Sequence, residues 1–190
     1  MQLSRESITH AALEILREYG LADVSMRRVA TSLGVAPGAL YWHIENKQEL
    51  VASLASAIVE PVVLDPPRDP AQLCAMLRGC VLAVRDGAEI VVAAVGQPDS
   101  RVHDTLDETF EGVVHAVAPD KATPGEVRAV AHGLLHLTLG AAAVQQSASQ
   151  LAAATGDTAG NTAATDDAGL AAEHAEAVRL LLRGFTAGHP

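Results

Sequence analysis

The side chains best suited to contact nucleic acid lie between residues 41 and 47. Tyr41, Trp42 and His43 are consecutive, and Lys47 follows four residues later. A lysine ammonium and a phenolic hydroxyl bind backbone phosphates, while indole and imidazole rings can meet sugar, phosphate or a thymine methyl group. The chain has one Trp and two Tyr in 190 residues, and a core helix would not place two of these three aromatics beside a histidine. We therefore predict a DNA-binding surface here.

Arg27, which precedes this cluster in the chain, could also read a base. Its guanidinium can donate two hydrogen bonds to a guanine edge in the major groove. The predicted DNA-binding set combines Arg27 with the two residues before it, three small residues that follow and the cluster at 41–47. Its members are Ser25, Met26, Arg27, Pro37, Gly38, Ala39, Tyr41, Trp42, His43 and Lys47.

The local sequence places these side chains on two short helices joined by a tight turn. Ser25 can cap a helix over 26–33 because its hydroxyl accepts an N–H of the first turn. Gly34 ends that helix where a left-handed residue is easiest, and Pro37 suits the first turn of a helix over 37–43. This pattern predicts a helix-turn-helix whose second helix enters the major groove. The alternative is an αα-hairpin within an all-helical domain.

Three segments closely resemble the DNA-binding domain of the TetR family of bacterial transcriptional repressors. They are A-L-E-I-L-R-E-Y-G at 12–20, S-M-R-R-V-A-T-S-L-G-V at 25–35 and A-L-Y-W-H-I-E-N-K-Q-E-L at 39–50. The resemblance covers residues 8–54, and L-Y-W-H looks like the tetracycline repressor branch. It implies a homodimer on near-palindromic, double-stranded operator DNA, with a second helical domain that senses a small molecule. It also implies a base contact for Arg27 and places the small, nonpolar residues 37–39 where the branch reads bases.

Two later motifs, R-D-G-A at 85–88 and H-L-T-L-G at 136–140, echo the C-terminal domain of the same branch. By that resemblance His136 is a pocket histidine, whereas Val91 replaces a metal-chelating histidine and Val144 replaces an acidic residue. A magnesium–tetracycline chelate would lose its protein ligand and the acid behind it. We therefore expect a more apolar effector. The predicted effector pocket contains His132, His136, Val91, Leu135 and Leu139.

His132 and His136 also leave a metal-responsive alternative open. They are spaced i, i+4 on one helix face, which suits a pair of metal ligands. A third ligand would be needed, and the candidates are His103, His115, Cys74 and Cys80. Ordinary hydrogen-bonded histidines in a pocket or interface are the other interpretation, with His174 meeting them across a dimer interface. We predict no resident metal and no cofactor.

Composition predicts an all-α fold with an acidic C-terminal part. Apolar residues make up 49% of the chain and aromatic residues only 3%, so the core must consist of Ala, Val and Leu, which favours helices. The net charge is −10, of which residues 1–50 carry only −1, with five Lys/Arg and six Asp/Glu. Because few basic side chains can displace counterions, DNA affinity should be modest and salt-sensitive.

The predicted organisation is a helix-turn-helix domain at 1–45 and an effector-binding and dimerisation domain at 46–190, with a connecting helix at 46–60. Prolines predict a loop at 61–70, and a scarcity of bulky side chains predicts a mobile loop at 152–168. Two apolar helices flank that loop, which suggests an intersubunit four-helix bundle. The predicted helices span 4–19, 26–33, 37–43, 47–59, 71–85, 88–95, 100–118, 125–147 and 170–185, and 88–95 could instead be a strand.

Other classes of protein find less support in the sequence. It has no G-x-S-x-G, H-E-x-x-H or phosphate-loop motif, so we predict that the chain is not an enzyme. It has no run of eighteen purely apolar residues and no signal-peptide core, and Cys74 and Cys80 are expected to be free, buried thiols. These features favour the cytoplasm over a membrane. The overall prediction is a ligand-responsive repressor, although the sequence leaves open whether the effector releases or promotes DNA binding.

Overall fold

The structure is a computed structural model that describes residues 3–155 and 163–188. These residues form α-helices, one 3-10 turn and no strand, which confirms the all-α prediction. The helices are α1 Arg5–Tyr19, α2 Met26–Ser32, α3 Pro37–Leu40, α4 Lys47–Leu64, α5 Pro70–Leu82, α6 Gly87–Val95, α7 Arg101–Ala116, α8 Pro124–Thr155 and α9 Ala163–Ala187, and the 3-10 turn is Leu21–Asp23.

Contacts divide the chain into two compact units. The first unit comprises Met1–Glu60 and Cys80–His103, and the second comprises Pro61–Gly79 and Asp104–Pro190. The first unit therefore holds α1 to α3 and most of α4, together with α6, a segment distant in sequence. The predicted boundary between residues 45 and 46 separates DNA binding from effector binding and dimerisation, and it does not follow this division into contact units. It remains a prediction.

The N-terminal helices of the first unit enclose a small aliphatic core. Ile8, Ala12 and Leu16 recur at four-residue spacing on α1 and are completely buried. Leu40 at the end of α3 and Leu50 on α4 are also completely buried. Burial of one aliphatic stripe per helix is the usual source of helix stability in a small domain, because short helices are marginal alone.

In the second unit, α8 and α9 pack against each other. The buried side chains of α8 include Leu134, Leu135 and Leu139, and those of α9 include Val178 and Phe185. Within one chain, α8 is buried on one side only. Exposed apolar side chains of α8 and α9 are Val144, Leu151, Leu170, Leu180 and Leu181.

Within the described residues, one helix is long and apolar enough to cross a membrane. It is Pro124–Ala154, which contains an 18-residue stretch with a mean hydropathy of 1.4. Of that stretch, 39% is buried. A core helix of a globular protein has the same length and composition, so this property alone is weak support for a membrane span.

Helix α4 continues through Pro61 to Leu64, whereas the sequence predicted that it would end near residue 59. Proline lacks the N–H needed for one helical hydrogen bond, and its ring crowds the carbonyl of the preceding turn, so a proline inside a helix costs stability. Val62, the next residue, is completely buried. Burial of that side chain offsets the lost hydrogen bond, so the loop shrinks from 61–70 to 65–69.

Other boundaries and burial states also differ from the prediction. The predicted mobile loop at 152–168 is helical at 152–155 and 163–168, while 156–162 lie outside the described residues. Alanine-rich sequence favours extension of both helices into this region.

Cys74 is buried as predicted, but Cys80 is only partly buried. Cys80 lies near the end of α5, where fewer neighbouring side chains surround it. The short helix predicted at 88–95 is confirmed as α6.

Candidate nucleic-acid interface

Helix α2 holds Arg27 at the surface by capping its start and burying its opposite side. The Ser25 hydroxyl accepts a hydrogen bond from the Arg28 backbone N–H at 3.2 Å, as the sequence predicted. Val29 and Ala30 are completely buried, whereas Ser25 and Arg27 are exposed and Met26 is partly exposed. The guanidinium of Arg27 is therefore presented on a helix whose position is fixed by its buried side.

The turn between α2 and α3 depends on a left-handed glycine. Gly34 has a φ of +68°, and the Val35 N–H donates to the Ala30 carbonyl at 3.0 Å. Pro37 occupies the first position of α3, where its missing N–H costs no hydrogen bond. Both features of the predicted helix-turn-helix are present. Around Gly38, an added Cβ would meet no atom within 4 Å, so the surface there is open.

Tyr41, Trp42 and His43 lie in the turn after α3 and not on the helix, which ends at Leu40. The helix predicted at 37–43 was therefore too long. Leu40 and Ile44 are both completely buried, and they fix the two ends of this turn in the core.

The aromatic side chains of this turn are open to solvent. Trp42 is 89% exposed and Tyr41 is 51% exposed, while His43 is partly buried. The two phenylalanines of the chain, Phe110 and Phe185, are instead 0% and 7% exposed. An exposed indole loses its hydration shell only on binding another molecule, so this placement suits contact with a partner.

The start of α4 presents Lys47 beside a network of fixed polar groups. Asn46 caps the helix by accepting the Glu49 N–H at 2.8 Å. The Glu49 carboxylate accepts a hydrogen bond from the N–H of Glu45 and pairs with Arg5. The Glu45 N–H and then the Arg5 guanidinium lower the pKa of Glu49. Lys47 itself is exposed, as phosphate binding requires.

A second cationic group, Arg28, has a structural role at this surface that its sequence context did not predict. Arg28 pairs with Asp23, and its guanidinium carbon lies 4.0 Å from the centre of the Tyr19 ring. A cation over an aromatic ring is stabilised by the ring quadrupole. The adjacent arginines Arg27 and Arg28 were the only indication in the sequence that this surface holds a second cation. Their roles differ because Arg27 is exposed and Arg28 joins the end of α1 to α2.

The predicted effector residues are distributed between the two units. Val91 lies on α6 in the first unit and is completely buried. The other four lie on α8 in the second unit, where Leu135 and Leu139 are 0% and 3% exposed, His132 is partly buried and His136 is exposed. Their assignment to an effector pocket remains a prediction.

His132 and His136 lie side by side on α8, with ring centres 6.1 Å apart. The Nε2 atom of His132 is 3.1 Å from an Asp107 oxygen and 3.7 Å from a Glu111 oxygen. Across residues 3–155 and 163–188, no group of three or more His, Cys, Asp or Glu side chains is placed to hold a metal ion. The metal-responsive alternative therefore gains no support from this geometry.

His174 has a local partner within the same chain. Its Nε2 atom lies 3.1 Å from the Thr138 hydroxyl, which itself donates to the Leu134 carbonyl at 2.8 Å. Because the hydroxyl proton is used in that second bond, Nε2 acts as the donor to Thr138. Burial, followed by the charge of Arg78, lowers the pKa of His174. Burial also raises the pKa of the Cys74 thiol to about 11, so this thiol is protonated at neutral pH.

Comparison with known proteins identifies relatives for both parts of the chain. Residues 8–54 match the family described as bacterial regulatory proteins, tetR family. The class D tetracycline repressor of Escherichia coli is 33% identical over 114 residues, which are 56% of this chain and 51% of that protein. The chain thus spans about half the length of the curated relatives it matches.

Solved structures match over nearly the whole chain. BioQ of Mycobacterium smegmatis is 31% identical, with a TM-score of 0.78 and coverage of 98% of this chain and 99% of that one. A structure of BioQ with its double-stranded DNA operator has a TM-score of 0.75 at 29% identity, with the same coverage. A TetR variant of Acinetobacter baumannii in complex with minocycline has a TM-score of 0.72 at 25% identity, covering 100% of this chain and 99% of that one.

Proposed function

The chain belongs to the TetR family of transcriptional regulators, and we propose that it is a homodimeric, cytoplasmic repressor of transcription. In this proposal it binds a double-stranded operator and is released by a small apolar molecule. The exposure of Tyr41 and Trp42 beside Lys47 carries the proposal, because the phenylalanines of the same chain are buried. The BioQ structure with its operator supports DNA as the partner.

In this proposal, some side chains contact the DNA backbone and position the protein, and others contact bases and provide sequence preference. Lys47 and Tyr41 contact phosphates through charge and hydroxyl, and Trp42 and His43 pack against sugar or a thymine methyl group. Arg27 reads a guanine edge from α2. Residues 37–39 add no side-chain hydrogen bonds, since they are Pro, Gly and Ala. Sequence preference therefore depends on few direct contacts.

Dimerisation uses the exposed apolar side of α8 and α9. An apolar groove of about 570 Å³ lies between the start of α8 and the end of α9, lined by residues that include Val130, Leu180 and Leu181. A C2 dimer would cover such a surface with the same surface of a second copy and would place two reading helices on successive major grooves.

The effector is proposed to be apolar and to bind the conformer that does not fit DNA. Two positions where the tetracycline branch carries chelate-binding groups are Val91 and Val144 in this chain. Saturating magnesium–tetracycline should therefore leave operator affinity unchanged, whereas an apolar inducer should lower it. Release by magnesium–tetracycline at micromolar concentration would contradict this choice of effector class.

Fluorescence anisotropy with DNA from upstream of its own gene tests the proposed regulator. The wild-type protein should bind this DNA more tightly than a scrambled duplex, with affinity that falls as salt rises. Lys47→Ala should weaken binding to both duplexes by about threefold to tenfold and reduce the salt slope by about one. Lys121→Ala is the matched control, because Lys121 is the only other lysine and lies in the second unit.

Three outcomes of this experiment have distinct meanings. Specific binding that Lys47→Ala weakens and Lys121→Ala preserves supports the proposed interface. Equal losses in both lysine variants would assign the effect to overall charge and contradict the role of Lys47. Absence of binding to any duplex at low salt would overturn the regulator and favour the helical-hairpin interpretation.

A further inference from the structure

The segment Arg85-Asp86-Gly87 between α5 and α6 has a fixed backbone that requires these residue types. Asp86 has a φ of +57°, a left-handed conformation that aspartate tolerates better than most residues. Gly87 is buried, and a Cβ there would overlap the carbonyl oxygen of Val81. The backbone therefore turns sharply at Asp86 and begins α6 against the end of α5.

Arg85 binds the C-terminal end of α1 and Asp86 binds the 3-10 turn that follows it, although about 65 residues separate the two segments. The Asp86 carboxylate accepts a hydrogen bond from the Leu21 N–H, with an oxygen–nitrogen distance of 2.6 Å. Arg85 donates to the Glu18 carbonyl at 3.2 Å. The last carbonyls of a helix lack helical partners and carry partial negative charge, so an arginine stabilises this end.

Gly20 allows both side chains to approach the end of α1. Its φ is +89°, and an added Cβ would lie 2.8 Å from the Asp86 carboxylate and 3.0 Å from Arg85 Nε. Any other residue would be strained by the backbone conformation and would push the two side chains away. The close contact is therefore specified at both of its ends, by Gly20 and by the Arg85-Asp86 pair.

Further contacts connect the Arg85-Asp86 pair to α2, the helix that carries Arg27. Leu21 begins the 3-10 turn Leu21–Asp23, and Asp23 pairs with Arg28 on α2. The guanidinium of Arg28 also covers the ring of Tyr19, the last residue of α1. The end of α1, the turn and the start of α2 are thus joined by side chains as well as by the backbone.

We propose that Arg85 and Asp86 are positioning residues for DNA reading, which hold the end of α1 and thereby fix the start of α2 and the direction of Arg27. The proposal rests on the DNA-binding function proposed above. Neither residue needs to contact DNA. Their effect is transmitted through Leu21 and the turn, so it depends on the hydrogen bond and not on a negative charge as such.

Substitutions at Asp86 can remove this hydrogen bond while keeping the backbone conformation. Asp86→Gly tolerates the left-handed backbone but has no acceptor, whereas Asp86→Asn retains both. Asp86→Gly should weaken operator binding about tenfold, as expected for loss of a hydrogen bond to a charged acceptor, and Asp86→Asn should restore most of it. Asp99→Gly is the control, because Asp99 is the other non-glycine residue with positive φ within residues 3–155 and 163–188.

A double-mutant cycle separates positioning from general destabilisation. If Asp86 acts by directing Arg27, then Asp86→Gly and Arg27→Ala should be non-additive, and the double variant should bind almost as well as Arg27→Ala alone. Amide hydrogen exchange supplies a second readout. The Leu21 amide should exchange faster in Asp86→Gly than in the wild-type protein, and at the wild-type rate in Asp99→Gly.

The possible results distinguish this proposal from the function on which it rests. Non-additivity together with rescue by Asp86→Asn supports positioning. Additive losses, or wild-type affinity in Asp86→Gly despite faster Leu21 exchange, would overturn the positioning role while leaving DNA binding intact. Failure of the wild-type protein to bind any operator would overturn the proposed function and this role with it.

Discussion

The N-terminal helices and the α8–α9 pair expose different kinds of apolar side chain. Among residues 3–60 the large exposed apolar residues are all aromatic, namely Tyr19, Tyr41 and Trp42. On α8 and α9 they are all aliphatic, namely Val144, Leu151, Leu170, Leu180 and Leu181. Aromatic rings with polar atoms can bind a hydrated partner such as DNA, whereas exposed leucines gain only by packing against other apolar groups. The difference indicates that the first surface is complete in one chain and the second requires another copy.

The largest expected effect follows from placing a charge on the aliphatic surface. Leu180→Glu should convert the dimer to monomers, since a carboxylate buried in an apolar interface costs several kcal/mol. Operator affinity should fall by more than about a hundredfold, because one reading helix alone retains only half of the contacts. Sedimentation equilibrium measures the dimer, and Leu64→Glu at another exposed leucine is the control. A stable Leu180→Glu dimer would contradict the role of the exposed leucines of α8 and α9 in dimerisation.

The next effect concerns the reading surface itself. Arg27→Ala should reduce operator affinity by about 1–3 kcal/mol and relax preference at one base pair, because a bidentate contact with guanine is lost. Anisotropy on a set of single-base operator variants measures this preference. Arg68→Ala, which removes an exposed arginine from the 65–69 loop, is the control. Equal loss of affinity on every variant would limit Arg27 to phosphate contact.

Two glycines of the helix-turn-helix provide a matched test of local backbone conformation. Gly34→Ala should destabilise the protein by about 1 kcal/mol, because its φ of +68° disfavours a Cβ. Gly38→Ala should stabilise α3 by about 0.5 kcal/mol, since its helical position has open space. Thermal unfolding of both variants measures the difference. Equal effects would mean that local conformation does not determine the stability of this turn.

The smallest expected effect is a pH dependence at Glu49. The Glu45 N–H and Arg5 lower the folded-state pKa of Glu49 below its usual value near 4.5. Glu49 therefore contributes stability above about pH 4.5, and this contribution is lost as pH falls through the lower folded-state pKa. Thermal midpoints of wild type and Glu49→Gln between pH 3 and 7 should differ most near neutrality. A constant difference across this range would contradict the ionic role of Glu49.

The sequence predicted most of the helix-turn-helix because local rules determine its boundaries. Ser25 as a cap, Gly34 as a left-handed residue and Pro37 at a helix start are each fixed by their own backbone chemistry. The prediction was wrong where burial overrode these rules. Pro61 lies inside α4 because Val62 beyond it is buried.

Several partners in the reading unit could not be inferred from spacing. Arg5 pairs with Glu49, and Asp86 binds the Leu21 N–H, across gaps of 44 and 65 residues. Hydrophobic periodicity indicates which side of a helix is buried, but it does not specify which polar side chains of distant segments meet. The R-D-G motif was recognised only by resemblance, and its physical role required the position of α1.

By itself, the sequence determined the helical fold, the start signals of α2 and α3, the left-handed Gly34 after α2 and the chemical types of the exposed side chains. These properties depend on residues within about one helical turn of each other. Tertiary structure alone decided that α6 belongs with the N-terminal helices, that Glu49 and Arg5 form one network and that Asp86 binds the end of α1. Such choices depend on which distant surfaces bury the most apolar area together, and no local pattern in the sequence specifies them.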